Sequence, residues 1–386
     1  MPKEINHPPG PPKNAPAEKI QSTGMNTMLW ILLILLLGLT MCGVAQRQSG
    51  FRFSISDWSE TAGKMMPPNN AASWRALVDE YLQRHPYIDK LQFAEDDFKT
   101  IVRLEFLRKI LIFLSGFVLV LTIILAIVQN GVWKRFKTRF LTIVGWYILH
   151  SLLRPDYTLK ILSGFNIAAY LIVTYLLFGA IVKTIKDIKF ETGVHPGESK
   201  SVGLRGILSS RFLTFLILAQ VFVGSLFSAI RAADPSAVQL RFINVFIPMR
   251  HKLMNPEFGS FFGNLESNPV FTQFIHGWLV MAILVFYTMM RFICTYLPFR
   301  GNARSLFRYS AFIFIAQIVI GIMSYNNPAS FKISVLHSTA SLIFFGLVAA
   351  INFDLRHNVG EVKSETLTML KQRTDDKKDD FVDEDW

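Results

Sequence analysis

The stretch Phe271–Ile293, FTQFIHGWLVMAILVFYTMMRFI, decides the fold. Its one formal charge is Arg291, near the end. At about 1.5 Å of rise per residue, about 20 residues in a helix cross about 30 Å of hydrocarbon, so this segment reads as a membrane span. It also carries a histidine, His276, near its start. Upstream, Glu105-Phe106-Leu107-Arg108 matches Gln273-Phe274-Ile275-His276 across 168 positions (108 to 276), and it too opens a long apolar run. A second pairing sets Ser163-Gly164 against Leu336-His337, 173 positions apart (164 to 337). Both pairings put a histidine in the C-terminal half and a non-ligand in the N-terminal half.

Further apolar runs follow the same pattern. Eight are expected: Met28–Gln46, Ile110–Gln129, Phe140–Leu153, Leu162–Val182, Phe212–Ile230, Phe271–Ile293, Leu306–Ser324 and Val335–Phe353. The third is the shortest. With 51% hydrophobic and only 18% charged residues, the 386-residue chain is too apolar for a soluble domain. The fold class expected is an all-α integral membrane protein. Its eight transmembrane helices would form two tandem four-helix bundles related by a pseudo-two-fold repeat.

The formal charge of +12 does not point to nucleic acid, because of where it sits. Lys134, Arg135, Lys137 and Arg139 crowd one loop; Lys183, Lys186, Lys189, Lys200 and Arg205 populate another; Arg300, Arg304 and Arg308 a third. These are alternate loops, as the positive-inside rule requires when both termini are cytoplasmic. The tail up to Thr27 is rich in Pro and Asn and has no Arg, unlike a mitochondrial transit peptide. A retained first span in a bacterial plasma (inner) membrane is therefore expected. Two cysteines, Cys42 and Cys294, offer no disulfide framework or zinc spacing.

The organisation expected is a cytoplasmic tail (1–27), an N-terminal bundle (28–187) with a long outer loop (47–103), and a cytoplasmic linker (188–208). A C-terminal bundle (209–356) and a charged cytoplasmic tail (357–386) complete it. Gly193, Pro196, Gly197 and Gly203 suit the linker to a hinge. In the outer loop, Trp74–Leu82 has helical spacing and Phe93–Val102 reads as a second short helix, both lying on the outer surface.

Histidine within a span is costly to bury and is normally satisfied by a partner. A hydrogen-bonded structural role is the reading for a lone one. His276 and His337, at matching positions of a repeat and similar depth, instead suggest axial ligands of one haem held between facing helices. Glu105 has two readings. It forms an i,i+3 ion pair with Arg108, with Lys109 snorkelling beside it, or it is a carboxylate poised over a cofactor. His150, at the end of the third span, reads as a substitute ligand or an interfacial hydrogen-bonding group. His7, His85, His195, His251 and His357 fall in tails or loops. Phosphate-binding glycine loops, Ser/His/Asp arrangements and HExxH are absent from the sequence.

Several segments together resemble the haem A synthase family. Arg47-Gln48-Ser49-Gly50, Ser54-Ile55-Ser56-Asp57-Trp58 and Gly63-Lys64-Met65-Met66-Pro67-Pro68 are similar to its first outer loop, continued by Trp74, Tyr81, Pro86-Tyr87 and Phe98-Lys99. Glu105-Phe106-Leu107-Arg108-Lys109 stands where the family has Glu-Phe-x-His-Arg, and Gly145-Trp146-Tyr147 resembles its third-span motif. Asn268-Pro269 with Gln273-Phe274-Ile275-His276, and Leu336-His337-Ser338, resemble its sixth- and eighth-span histidine motifs.

The resemblance implies a haem b held by His276 and His337, and a haem O substrate site in the N-terminal half. It also implies oxidation of a haem O methyl to the formyl of haem A, with Glu105 as the functional carboxylate. Arg108 and Gly164 depart from the pattern: a guanidinium has no free lone pair and glycine no side chain, so neither ligates iron. Arg108 would instead grip a haem propionate or neutralise Glu105. Three readings remain open: a divergent haem A synthase, a non-catalytic haem b protein acting as electron carrier or oxidase-assembly factor, and a structural or transport bundle. Implied partners are membrane lipid, haem O or the haem O synthase, an electron donor that the residues do not identify, and a second copy in a homo-oligomer.

Overall fold

The computed structural model describes residues 23–50, 66–84, 95–153, 164–192, 204–233, 250–295, 303–327 and 330–357, and these are helical with no strand among them. The tail before Thr23, most of the first outer loop, the linker glycines and the charged tail after His357 lie outside the described residues.

Among the described residues, eight long helices carry the fold. They are α1 (Thr23–Gly50), α3 (Glu95–Val128), α4 (Asn130–Leu152), α5 (Gly164–Thr192), α6 (Leu204–Ala233), α9 (Pro269–Thr295), α10 (Ala303–Asn326) and α11 (Phe331–His357). Shorter helices lie between them: α2 (Ala71–Arg84), α7 (Arg250–Leu253) and α8 (Phe261–Ser267). Seven of the long helices are apolar enough over their length to cross a membrane. The exception is α4, which contains all but the last residue of the expected third span Phe140–Leu153. Its first turns carry Lys134, Arg135, Lys137 and Arg139, so its apolar part is too short.

In the first half α1 packs on α3, α3 on α4, α4 on α5 and α5 back on α1. In the second half α6 packs on α9, α10 on α11 and α6 on α11. The halves join through α5 with α6, α1 with α11, and α5 with α11. Exchanging the halves maps these contacts onto one another or onto themselves, except that of α3 with α4, as a pseudo-two-fold axis would.

At the α5–α11 crossing the axis is visible in individual residues. A Cβ on Gly179 would lie 3.0 Å from the ring of Phe345, and one on Gly346 would lie 2.5 Å from the ring of Phe178. Each Phe-Gly pair thus seats its ring on the glycine of the other. This reciprocity fixes the register: Phe178-Gly179 corresponds to Phe345-Gly346, 167 positions on.

The most enclosed helices are those at the junction, where Leu29, Leu32, Ile181, Leu342 and Val348 are buried. Phe113, Val120, Phe292, Phe312 and Ile315 project outward from α3, α9 and α10, as lipid-facing residues must. Charged pairs clamp the end of the bundles opposite the histidines. Lys186 meets Asp354 at 2.6 Å between α5 and α11, Arg139 meets Asp187 at 2.7 Å between α4 and α5, and Arg135 meets Glu191.

The helix read from Trp74–Leu82 is present as α2. Its Trp74, Leu77, Val78 and Tyr81 pack on Phe98, Ile101 and Val102. The short helix expected at Phe93–Val102 is not separate. It is the first turns of α3, which continues into the span because no Gly or Pro interrupts Glu95–Ile110.

Candidate functional site

Asn268 fixes the start of α9. Its Oδ1 accepts from the backbone N–H of Val270 (3.0 Å) and Phe271 (3.3 Å), while its Nδ2 donates to Lys252 O (2.9 Å) and Asn264 Oδ1 (2.9 Å). Pro269 follows at the first helical position, where its missing N–H costs nothing. His276 stands about 10 Å into α9 and His337 about 9 Å into α11, so both sit at similar depth from their helix starts.

Both histidines are half-buried and line one cavity of about 340 Å³. Its walls come from α6, α9, α10 and α11, closed on one side by Thr40 and Val44 of α1 and by Leu171 and Tyr175 of α5. The volume is within the range of small-molecule and cofactor pockets, about 300–1,000 Å³. Each imidazole meets a glutamine and a glycine of a neighbouring helix. Gln220 Nε2 is 3.1 Å from His276 Nε2, and Gln317 Nε2 is 3.2 Å from His337 Nε2. A Cβ on Gly224 would lie 2.9 Å from His276 Cε1, and one on Gly321 would lie 3.0 Å from His337 Cε1. Among the described residues His276 Nδ1 has no hydrogen-bond partner.

A flat cofactor carrying a borderline metal fits this donor set: two neutral imidazoles from different helices, backed by small residues, in a largely apolar slot. No group of three or more His, Cys, Asp or Glu suited to a metal occurs among the described residues. Metal binding at the pair therefore requires further ligands from the cofactor itself.

The first half holds a different constellation. Glu105, Arg108 and Gln46 are all buried. Arg108 grips both oxygens of Glu105, Nη2 to Oε1 at 2.6 Å and Nε to Oε2 at 2.9 Å. Gln46 Nε2 of α1 donates to Oε2 at 2.5 Å, and Lys109 Nζ approaches Oε1 at 4.0 Å. The ion pair of the two sequence readings is thus formed, and it is fork-shaped rather than a single contact.

Gly164 is not the partner of this cluster. It is the first residue of α5 and faces α6, where a Cβ would lie 3.0 Å from Leu226 Cδ2. The register set by the two Phe-Gly pairs puts Tyr170, not Gly164, at the counterpart of His337. Short-range sequence matching missed Tyr170; the Phe-Gly repeat eight residues further along was the signal for it. Tyr170 is buried and its ring lies 4.7 Å from that of His150, also buried, on α4. Of the sequence-derived residues, the structure brings His276 together with His337, and Glu105 with Arg108.

An all-helical membrane protein, built from two related bundles with a histidine pair at one cavity, is the class this fold and site define. A family model for cytochrome oxidase assembly proteins matches residues 26–349. The chain belongs to that family, in which the haem A synthases fall. It is 22% identical over 341 residues to a heme A synthase of Nitrosospira multiformis, covering 85% of this chain and 92% of that one. A heme A synthase of Rhizorhabdus wittichii is 23% identical over 337 residues (83% and 91%), and one of Granulibacter bethesdensis 26% over 338 (84% and 85%). No solved structure matches the chain.

Proposed function

We propose that this chain is a haem A synthase-like membrane oxidoreductase of haem A biosynthesis, acting on the methyl group of haem O. The observation that carries the reading is the pair His276 and His337 at one cavity in a chain of this family. A haem b bound there would supply a redox-active iron. The protein's part is to hold the two imidazole lone pairs, and to keep water out with Val280, Ile318 and Phe344 around them. Gly224 and Gly321 let the neighbouring helices close on the ring edges.

The haem O site belongs in the N-terminal half, with Glu105 as its functional carboxylate. Arg108 and Tyr170 stand where histidines would be expected, so a porphyrin there would be held by packing and by charge on its propionates. Eight spans are part of this reading: α4 crosses with its basic turns among the headgroups. Both termini are cytoplasmic, in a bacterial plasma membrane. Lipid, haem O, the haem O synthase, an electron donor and a second copy of the chain are its partners.

A second reading is favoured by one observation. Glu105 is held by three donors at once, as a structural ion pair would be. A haem b protein with no turnover, an electron carrier or oxidase-assembly factor, would show the same lock.

Co-expression with a haem O synthase, followed by haem extraction and mass analysis, separates the two. Hydroxylated haem O or haem A in amounts that depend on this chain is the expected result. Haem O alone would contradict turnover and leave the second reading.

A further inference from the structure

We propose that Gln220 and Gln317 are positioning residues for the histidine pair: each carboxamide N–H donates to Nε2 of its histidine, keeping the ring proton on Nδ1 and leaving Nε2 unprotonated at the cavity wall. The proposal rests on the haem-ligand reading above. Its geometry occurs twice, at Gln220 Nε2 to His276 Nε2 (3.1 Å) between α6 and α9, and at Gln317 Nε2 to His337 Nε2 (3.2 Å) between α10 and α11.

The sequence is duplicated too. Ala219-Gln220-Val221-Phe222-Val223-Gly224 and Ala316-Gln317-Ile318-Val319-Ile320-Gly321 share Ala-Gln-x-x-x-Gly with apolar residues between. Positions i and i+4 lie on one helix face. The glutamine therefore holds the Nε2 end of the ring while the glycine, one turn on, admits its Cε1 edge. Helices α6 and α10 are not counterparts under the pseudo-two-fold, being the first and third long helices of one half. Within the second half the motif thus appears once for each histidine.

The first half supplies a comparison within the same chain. Of its corresponding helices, α4 has Leu141 four residues before Gly145, while α1 carries the same Ala-Gln-x-x-x-Gly at Ala45-Gln46-Arg47-Gln48-Ser49-Gly50, with polar residues between and Gln46 donating to Glu105 rather than to a histidine. That half has Arg108 and Tyr170 where the other has His276 and His337.

A neutral imidazole can carry its proton on either nitrogen, and the hydrogen bond made by one end selects the tautomer. Iron takes a lone pair, which only the unprotonated nitrogen offers. With the proton already on Nδ1, binding exchanges an N–H···N hydrogen bond for a metal–nitrogen bond, and no proton or electron is transferred. The opposite carboxamide oxygens, Gln220 Oε1 and Gln317 Oε1, have no hydrogen-bond partner among the described residues. Turning the amides over would place a carbonyl at the ring nitrogen and demand the Nε2–H form, which has no lone pair at Nε2 for iron.

The test uses the full chain, purified without haem into lipid nanodiscs, with ¹⁵N-labelled histidine. NMR first reads the imidazole tautomers, and hemin titration then reads the low-spin absorbance. For the wild type, Nδ1–H at both His276 and His337 and a low-spin bis-histidine spectrum are expected. For Gln220→Leu/Gln317→Leu, which keeps side-chain volume, mixed tautomers and about tenfold weaker hemin uptake are expected, with a high-spin fraction. Uptake and spectrum equal to wild type in the double variant would overturn the positioning role. So would Nε2–H at either histidine in the wild type, which needs no variant to fold. A wild type that binds hemin with no low-spin signal would instead overturn the haem-ligand reading itself.

Discussion

At the residue scale, His276 and His337 are polar groups in an apolar setting, and the glycines beside them matter as much as the donors. The ring edge of each histidine occupies the space a side chain would need at Gly224 or Gly321. Gly224→Ala or Gly321→Ala must push an imidazole aside, an overpacking cost of about 1–3 kcal/mol. The expected outcome is a helical, membrane-inserted protein with weakened haem retention and a perturbed low-spin spectrum, read by absorbance after detergent washing. Unchanged retention in both variants would show that the rings do not rest on those glycines. In the other half, Arg108 forms a two-point fork with Glu105, and Gln46 from α1 completes it. Sequence spacing alone reveals the Glu105–Arg108 pair. Gln46 could not be anticipated, because it comes from a helix 59 positions away.

At the element scale, seven spans were legible because each is a long apolar run of helix-forming length, and their helices extend a few residues past the apolar limits at most ends. Helix α4 was less legible. Its hydrophobic part spans only Phe140–Leu153, while the helix begins at Asn130 among basic residues. The break expected between the outer-surface segment and the second span is absent from α3, since no residue there ends a helix. What holds neighbouring elements together is partly ionic. Asp354 of α11 is 2% exposed and pairs with Lys186 of α5, which is more accessible. Asp354→Ala would leave the lysine without its buried partner, costing about 2–3 kcal/mol, at the lower end for a broken buried pair because Lys186 keeps some water. Thermal denaturation in detergent should show the loss, and a midpoint equal to wild type would show the pair to be solvated.

At the scale of the whole molecule, duplication was readable from short motifs, but its register was not. Glu105-Phe106-Leu107-Arg108 located one pair of counterparts, whereas matching Ser163-Gly164 to Leu336-His337 placed the other six residues off. The interlocked rings of Phe178 and Phe345 on opposite glycines single out the Phe-Gly likeness, among the short likenesses along the chain, as the true alignment. Restoring histidines therefore has a defined outcome. Arg108→His/Gly164→His should bind no more haem per chain than wild type, since position 164 faces Leu226 of α6. Arg108→His/Tyr170→His places both imidazoles at symmetric positions and should raise the stoichiometry. Pyridine haemochrome assay against protein concentration distinguishes the two, and a rise in the first variant alone would refute the register.

The measurement that bears most directly on the central claim is haem content and spectrum for wild type, His276→Ala and His337→Ala. One low-spin bis-histidine haem per wild-type chain, lost in both variants, is the expected result. A wild-type spectrum persisting after either substitution would contradict the assignment of this cavity as the haem site.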